Sequence, residues 1–404
     1  MIAASLSPAV RQYLLVTANY WAFTLTDGAL RMLVVLHFYS LSYSGLSIAM
    51  LFLFYEVFGV ITNLVGGWLG ARIGLNNTMN MGLFIQILAL SMLLLPTEYL
   101  IVPWVMAAQA LSGIAKDLNK MSAKSSIKML VSSDAPGTLF KWVALLTGSK
   151  NALKGLGFFV GGLLLSLVGF QLAILSMAVA LLLVWLISLV KLKQDLGKSS
   201  ARPKFSEMLS KSRAINVLSA ARMLLFGARD VWFVIALPLF LASNLGWDHW
   251  TVGGFLALWV IGYGGVQSIA PLLLGKNTLP DGKTVTFWAA LLCVIPGLIA
   301  IALSANWHIE LALLTGLMFF GAVFAINSAV HSYLIVSYAK SDGVSLDVGF
   351  YYMANAMGRL IGTLLSGWLY QSAGLVVCLW VSGIMLVLAV ITSGFLPKAT
   401  ARQQ

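Results

Sequence analysis

Leu172–Val190 reads LAILSMAVALLLVWLISLV, a run of nineteen residues without one Asp, Glu, Lys or Arg. At ~1.5 Å per residue, a helix of that length crosses the roughly 30 Å of hydrocarbon in a bilayer. Runs of the same kind recur along the whole chain. Hydrophobic residues make up 60% of the 404 and charged residues only 9%, too little charge for a soluble domain of this size. A closed β-barrel is built from short alternating segments, so the continuous runs specify helical spans, which satisfy their own backbone hydrogen bonds in lipid. The expected class is an all-α polytopic membrane protein.

Twelve spans are expected, at roughly 12–38, 45–70, 77–95, 102–130, 138–168, 171–191, 214–242, 250–275, 284–304, 308–338, 345–371 and 374–396. The first, Tyr13 to Tyr39, is too long for a signal-peptide core and lacks a small-residue cleavage site, so it is read as a retained span. A polar, basic stretch with Lys193, Lys198, Arg202, Lys204, Lys211 and Arg213 separates the sixth span from the seventh. The expected organisation is therefore an N-terminal six-helix half (1–191), a cytoplasmic linker (192–213) and a C-terminal six-helix half (214–404).

Orientation follows the Lys/Arg bias of loops. With both termini inside, the inner loops and membrane edges take 16 of the 25 basic residues, among them Arg11, Arg72, Lys141, Lys276, Lys283, Lys340 and Lys398. The outer loops carry Glu98, Asp248, His249, His308 and Glu310 instead. The net charge of +12 thus reflects topology and implies no nucleic acid. Cys293 and Cys378 lie in separate apolar runs, so neither a disulfide framework nor a thiolate metal site is expected. Phosphate loops, metal-ligand clusters and nucleophile triads are not recognisable, and neither cofactor nor metal is expected.

The remaining nine basic residues lie inside spans: Arg31, Lys116, Lys120, Lys124, Lys150, Lys154, Arg222, Arg229 and Arg359. Four acids accompany them, Asp27, Glu56, Asp117 and Asp230. The surplus is five positive charges. Charge inside a bilayer is expensive and marks pathways and binding sites, so the surplus asks for an anion. Spans three, six, nine and twelve hold none of these charges and are expected to face lipid.

Lys116, Lys120, Lys124 and Lys128 recur every four residues and form one helical stripe. Lys128 suits a snorkelling role at the membrane edge; the stripe of Lys116, Lys120 and Lys124 suits an anion, with structural ion pairing as the alternative. Lys150 and Lys154 repeat the spacing in span five, and Asn355 with Arg359 are their expected counterparts in span eleven. Arg31, Arg229 and Arg359 supply forked donors for phosphate or carboxylate. Asn119 and Asn327 are expected hydrogen-bond donors to the same ligand. Asp27 and Arg31, four apart, are candidates to pair with each other. Arg229 and Asp230 point some 100° apart and are expected to reach different partners. Glu56 has no basic neighbour in its own helix. Asp27, Glu56, Asp117 and Asp230 are therefore candidates for proton coupling or for salt bridges. His331 reads as a satisfied polar residue.

The halves repeat weakly. Gly113, Asn119 and Ser133-Asp134 match Gly321, Asn327 and Ser341-Asp342 at a shift of 208; Asn151-Ala152 matches Asn355-Ala356, and Arg72 matches Lys276, at 204. Asp27 falls near the place of Asp230. Such repeats build many transporters. Gly157-x-x-x-Gly161 and Gly358-x-x-x-Gly362 are spacings that let helices approach closely.

Twelve spans in two halves, a basic central loop and charge-free third helices resemble the major facilitator superfamily over the whole chain. The segment Gly67-Trp68-Leu69-Gly70-Ala71-Arg72-Ile73-Gly74 is similar to that superfamily's loop motif after span two, with Ala71 in place of the acid. The resemblance makes Gly67, Arg72 and Gly74 a gating loop. Gly148, Gly157 and Gly161 partly match its antiporter motif, with Gly162 where a proline is usual. The strings Tyr20–Arg31, Lys116–Lys124 and Gly148–Gly155 are similar to the organoarsenical-efflux permeases. That likeness implies outward transport of 1-arseno-3-phosphoglycerate, arsenate resistance, and a functional link to the glyceraldehyde-phosphate dehydrogenase that makes the ester.

The expectation is a secondary transporter, not an enzyme, acting by alternating access in a bacterial cytoplasmic (inner) membrane as a monomer. Its partners would be the lipid bilayer and a small anionic substrate. An exchanger or importer of another phosphorylated or carboxylated metabolite is the main alternative. A membrane enzyme acting on an anionic lipid is a weaker one.

Overall fold

The computed structural model describes residues 7–43, 51–131, 135–192, 196–200, 204, 209, 211–275 and 279–397. Among them all regular structure is helical: α1 (Pro8–Ser40), α2 (Leu53–Ile73), α3 (Leu75–Met92), a 3₁₀ turn (Thr97–Tyr99), α4 (Val102–Leu130), α5 (Pro136–Lys191), α6 (Arg213–Phe233), α7 (Ala236–Ser243), α8 (His249–Leu273), α9 (Gly282–Ser304), α10 (Ile309–Tyr338) and α11 (Val344–Ser393). Ser133-Asp134, Lys193, Arg202, Lys276 and Lys398 lie outside the described residues.

Among the described residues each of the twelve expected spans is helical over most of its length; 45–50 of the second lie outside the described residues. Spans five and six are fused in α5, and eleven and twelve in α11, each interrupted at one glycine, Gly169 (φ 76°, ψ 176°) and Gly374 (φ 77°, ψ −175°). The chain reverses at Gly169. Ser149 bonds Trp21 and Gly157 lies on Gly28, whereas after the joint Ser188 bonds Asn19 and Gln12 reaches Lys191. Span seven is divided between α6 and α7, and the Ala236 N–H freed there donates to Ser366 Oγ at 3.1 Å. Seven of the described helical stretches are long and apolar enough to cross a membrane; α1, α3 and α4, which carry more polar residues, are not among them.

Helix starts follow local chemistry. Pro8 and Pro136 open α1 and α5, where a missing N–H costs nothing. Asp248 caps α8 through the Thr251 N–H at 2.7 Å, and Asp281 with Thr284 forms a capping box on α9. Pro271 and Pro296 sit inside α8 and α9, as bilayer helices tolerate.

The chain packs as two compact units. Unit 1 comprises Met1–Leu139, Ser149–Ser210 and Ala339–Met353; unit 2 comprises Phe140–Gly148, Lys211–Tyr338 and Ala354–Gln404. In unit 1 the core gathers Phe23, Leu30 and Phe38 of α1, Leu83 and Leu90 of α3, and Phe170 and Ile174 of α5. In unit 2 it is aromatic: Trp232 meets Phe320 edge-on at 5.0 Å, and Trp259 stacks on Tyr263 at 5.9 Å. The charge-free spans carry exposed apolar side chains, for example Leu183 and Val190 in span six, Phe287 and Leu298 in span nine, and Ile384 in span twelve, as lipid-facing helices do.

Part of the linker is docked on unit 1. The Leu75 N–H donates to Leu196 O and the Ser199 N–H to Ala71 O, both at 2.8 Å. Ser200 donates to Asp342 through its N–H (3.2 Å) and its hydroxyl (2.8 Å). The Ser200 hydroxyl, with Ser199 and the Ser200 N–H, holds the Asp342 carboxyl below its ordinary value.

Candidate functional site

The lysine stripe of α4 begins at Lys116 beside α2. Gly113, one turn earlier, lies against the backbone of Tyr55, where a Cβ would stand 2.7 Å from the carbonyl oxygen. That close approach puts Lys116 Nζ over the Tyr55 ring, 3.9 Å from its centroid. Arg31 of α1 lies against the same ring at 4.8 Å. The Tyr55 hydroxyl donates to both oxygens of Asp27, at 2.8 and 2.9 Å. Further along α4, Lys120 and Lys124 lie 4.8 and 5.4 Å from the ring of Tyr352. Aromatic faces attract cations by their quadrupole, so two tyrosines hold the amines without removing their charge.

Acids neutralise only part of it. Asp117, whose side chain is 1% exposed, accepts from Lys120 at 2.5 Å and pairs with Lys116 at 3.6 Å. Gly59 makes room for this carboxylate, since a Cβ there would stand 2.9 Å from Oδ2. Arg31 pairs with Glu56 at 3.4 Å. Of the thirteen charges singled out in the spans, six cations (Arg31, Lys116, Lys120, Lys124, Lys150, Lys154) and three acids (Asp27, Glu56, Asp117) belong to unit 1, and three cations (Arg222, Arg229, Arg359) and one acid, Asp230, to unit 2; Asp347, in the first turn of α11, is a further buried acid of unit 1. The surplus of five divides as three and two.

Several expected pairings are corrected. Asp27 and Arg31 do not pair: Asp27 takes the Tyr55 hydroxyl and Arg31 reaches Glu56, both partners being supplied by α2. Glu56 thus has a basic partner, though not in its own helix. Arg229 and Asp230 do not diverge: the long arginine folds back onto its neighbour at 2.5 Å, its guanidinium bracketed by Phe226, Phe233 and Phe324. The same carboxylate, fully buried, accepts from Arg359 Nε at 3.1 Å. Asn119 is on a different stripe of α4 from the lysines. It is fully buried against Gly82 of α3 and donates to its own Ala115 carbonyl at 2.9 Å. Asn327 is fully buried and neither amide atom has a partner; His331, expected to be satisfied, leaves Nδ1 without one.

Lys150 and Lys154 are half-buried on the part of α5 that runs along α1. A Cβ on Gly157 would meet the Leu25 carbonyl at 2.7 Å, and one on Gly161 would press on the Ala29 carbonyl. In unit 2, Gly358 and Gly362 of α11 lie in the same way on the Met223 and Gly227 carbonyls of α6. The shift between crossings is 201 residues for α5 and α11 and 198 for α1 and α6. Lys154 therefore corresponds to Asn355, not to a position beside Arg359, and Arg31 corresponds to Arg229. Asp27 and Asp230 are not equivalent in this register.

In the loop motif, Gly67 lies against Gly349 and the Ser345 carbonyl, and its own carbonyl accepts the Ser345 hydroxyl at 2.7 Å. Arg72 stacks on Trp68 at 5.1 Å, and Gly74, at φ 97°, ends α2. Sequence reasoning missed Tyr55, Tyr352 and the surroundings of Arg222. A tyrosine beside a buried acid, as in Phe54-Tyr55-Glu56, is the signal that was available for the first.

This is the fold of a membrane transporter. The sequence model of the Major Facilitator Superfamily matches residues 13–342, and the chain belongs to that superfamily. It is accordingly an integral membrane protein and a secondary transporter. The human organic anion transporter TETRAN has a similar structure (TM-score 0.77, 14% identity, 96% of this chain and 100% of that one). So does the E. coli fucose:proton symporter FucP (0.75, 13%, 97% and 100%). A bacterial homologue of the iron transporter ferroportin, in an outward-facing state, is likewise similar (0.75, 14%, 94% and 98%). At these identities the likeness carries the fold alone. No curated protein sequence matches the chain.

Proposed function

We propose that this chain exports an organic anion from the cytoplasm, and that the anion is the arsenate ester 1-arseno-3-phosphoglycerate. The observation that carries the reading is the cation wall of unit 1: Lys116 and Lys120 share one carboxylate and, with Lys124, rest on tyrosine rings. A wall of this kind attracts a multivalent anion and repels the lipophilic cations typical of drug exporters. Lys116, Lys120 and Lys124 hold the anionic groups as point charges. Lys150 and Lys154 add to the same field, and Arg31 orients the ligand while tethered to Glu56. Arg229 and Arg359 keep one net positive charge after Asp230, enough to favour an anion but not to bind it as free forks. The identity of the ester rests on the resemblance of Tyr20–Arg31, Lys116–Lys124 and Gly148–Gly155 to the organoarsenical permeases. The proposed setting is a bacterial cytoplasmic membrane with both termini inside.

The test is arsenate tolerance of sensitive cells expressing this protein with and without a glyceraldehyde-phosphate dehydrogenase. Protection is expected only with both. Protection without the dehydrogenase, or none at all, removes the arsenate ester from the proposal.

A further inference from the structure

One helix, α11, belongs to both units. Its residues 344–353 pack in unit 1 and the rest in unit 2, although the helix runs without interruption as far as Gly374. The division falls within a single turn. The Tyr352 ring meets Lys120 and Lys124 of unit 1, whereas Asn355 accepts from Arg222 of unit 2 at 2.9 Å. Three residues span only ~4.5 Å along a helix axis. Sharp kinks arise at proline, at Gly/Ser pairs or at π-bulges, and Tyr351-Tyr352-Met353-Ala354-Asn355-Ala356-Met357 contains neither proline nor glycine. Transporters of this build rock one half against the other. With no hinge at the division, α11 follows such a motion only if its head, 344–353, leaves the rest of unit 1.

Two kinds of contact hold the head. The first is backbone against backbone on α2: a Cβ on Gly349 would stand 2.6 Å from the Asn63 carbonyl oxygen and 2.8 Å from Gly67 Cα. The second is the linker. The Leu75 N–H, first of α3, donates to Leu196 O, and the Ser199 N–H donates to Ala71 O in the last turn of α2, both at 2.8 Å. Helix ends leave such groups open, so these bonds seat the linker on the α2–α3 corner. Gly197, at φ 72°, lies so close on the Leu75 side chain that a Cβ would stand 2.5 Å from Cδ1. Ser200 then grips Asp342, two residues before α11, through its N–H and its hydroxyl. Ser200 and Asp342 are both exposed, and water replaces exposed hydrogen bonds at small net cost. The linker is therefore fixed at the corner and releasable at Asp342.

We propose that residues 196–200 are a latch on the head of α11. Seated on the α2–α3 corner, they keep 344–353 against α2 through Asp342, and they let go of Asp342 when the head departs during transport. Departure carries the Tyr352 ring away from Lys120 and Lys124, so the linker and the cation wall switch together.

The experiment uses the full chain in lipid nanodiscs, with Cys293→Ala and Cys378→Ala so that a single introduced thiol is followed. Ser345→Cys places that thiol under the head, where Ser345 is fully buried on Gly67. Its rate of alkylation by a water-soluble maleimide reports how often the head is off. Ser200→Asp sets two carboxylates against each other and should raise the rate about tenfold. Adding Asp342→Lys turns the contact into an ion pair and should bring the rate back down. Gly197→Val unseats the linker at the corner and should raise the rate as Ser200→Asp does. A rate unmoved by Ser200→Asp, or one that Asp342→Lys does not lower again, overturns the latch. In a second arm, Ser200→Cys and Asp342→Cys are joined by a short reducible cross-linker in inverted vesicles. Uptake of the organic anion should fall to background and return when reductant cleaves the bridge; undiminished uptake by the bridged chain overturns the proposal. Alkylation involves no cargo, so it decides the latch even where the export reading fails.

Discussion

Arg31 and Arg229 stand at equivalent places on their glycine crossings, 198 residues apart, and each is tied to a carboxylate: Arg31 to Glu56 of another helix at 3.4 Å, Arg229 to the adjacent Asp230 at 2.5 Å. The same position in the repeat has thus kept an arginine while its acid comes from elsewhere. Asp230 alone also holds Arg359, which makes it the more demanding of the two acids to replace.

Asp230→Asn leaves two partly buried guanidinium groups without their carboxylate. Breaking a buried ion pair on one side costs about 3–5 kcal/mol. The expected outcome is a thermal unfolding midpoint lowered by several degrees in detergent. Adding Arg359→Met should recover part of the loss. A double variant as unstable as the sum of its parts would show that the two residues do not interact.

Lys116→Met and Lys120→Met each leave Asp117 with the other lysine, so the chain should insert and fold. Transport of the organic anion should fall at least about tenfold, the effect of about 1.4 kcal/mol lost from one charged contact. The double variant strands a fully buried carboxylate and should be unstable. Uptake into inverted vesicles alongside size-exclusion profiles separates the two effects. Wild-type transport in both single variants would assign these lysines a structural role.

Tyr55→Phe keeps the ring under Lys116 and Arg31 but removes the hydroxyl on Asp27. Leaving that carboxylate without its donor is expected to cost about 1–3 kcal/mol. Tyr55→Leu removes the ring as well and should lower anion affinity further. Equal behaviour of the two variants in binding would argue against a role for the ring.

Gly169→Ala and Gly374→Ala test the helix joints. A Cβ at either position meets nothing within 4 Å, so space is not the obstacle. The backbone lies at φ 76° and 77° with ψ near 180°, a region open almost solely to glycine. A cost of about 1–3 kcal/mol is expected from conformation alone, seen as a lower unfolding midpoint with unchanged transport per folded molecule.

The docked linker should respond to acid. The Asp342 carboxyl is held below its ordinary value by Ser200 and Ser199. Its contribution is therefore present in full above the unfolded value, about 4, and is lost as pH falls through the lower folded value. Amide hydrogen exchange at Ser200, corrected for its intrinsic rate, should accelerate below that pH. Asp342→Asn should make it insensitive to acid, and unchanged acid sensitivity in that variant would exclude this carboxyl as the cause.

The spans were legible because bilayer thickness sets a minimum apolar length, and LAILSMAVALLLVWLISLV meets it without interruption. The lysine stripe was legible because a four-residue spacing survives any packing. Which acid meets which base was not, since Glu56 reaches Arg31 only once α1 and α2 are side by side. The repeat register was misread by a few residues for a related reason: matching letters such as Asn151 and Asn355 are sparse, whereas the physical register is set by where Gly157 and Gly358 touch a neighbouring carbonyl. Asn119 looked like a ligand donor because sequence shows its polarity and hides that Gly82 covers it.

The composition of α4 also bears on how the chain is made. Lys116, Asp117, Lys120 and Lys124 occupy its central turns and the turn beyond, and α4 is not among the stretches long and apolar enough to cross a membrane by length and composition. At about 2.5–3.5 kcal/mol for each charge near a helix centre, four such residues add on the order of 10 kcal/mol to insertion. A lone α4 leaving the ribosome has no reason to partition into lipid. Tyr55 and Gly59 of α2 and Gly82 of α3, already synthesised, supply the ring, the notch and the polar seam that receive it. The helix that bears the proposed cargo site thus depends for its biogenesis on its two predecessors, and errors in α2 should surface as loss of α4 from the membrane.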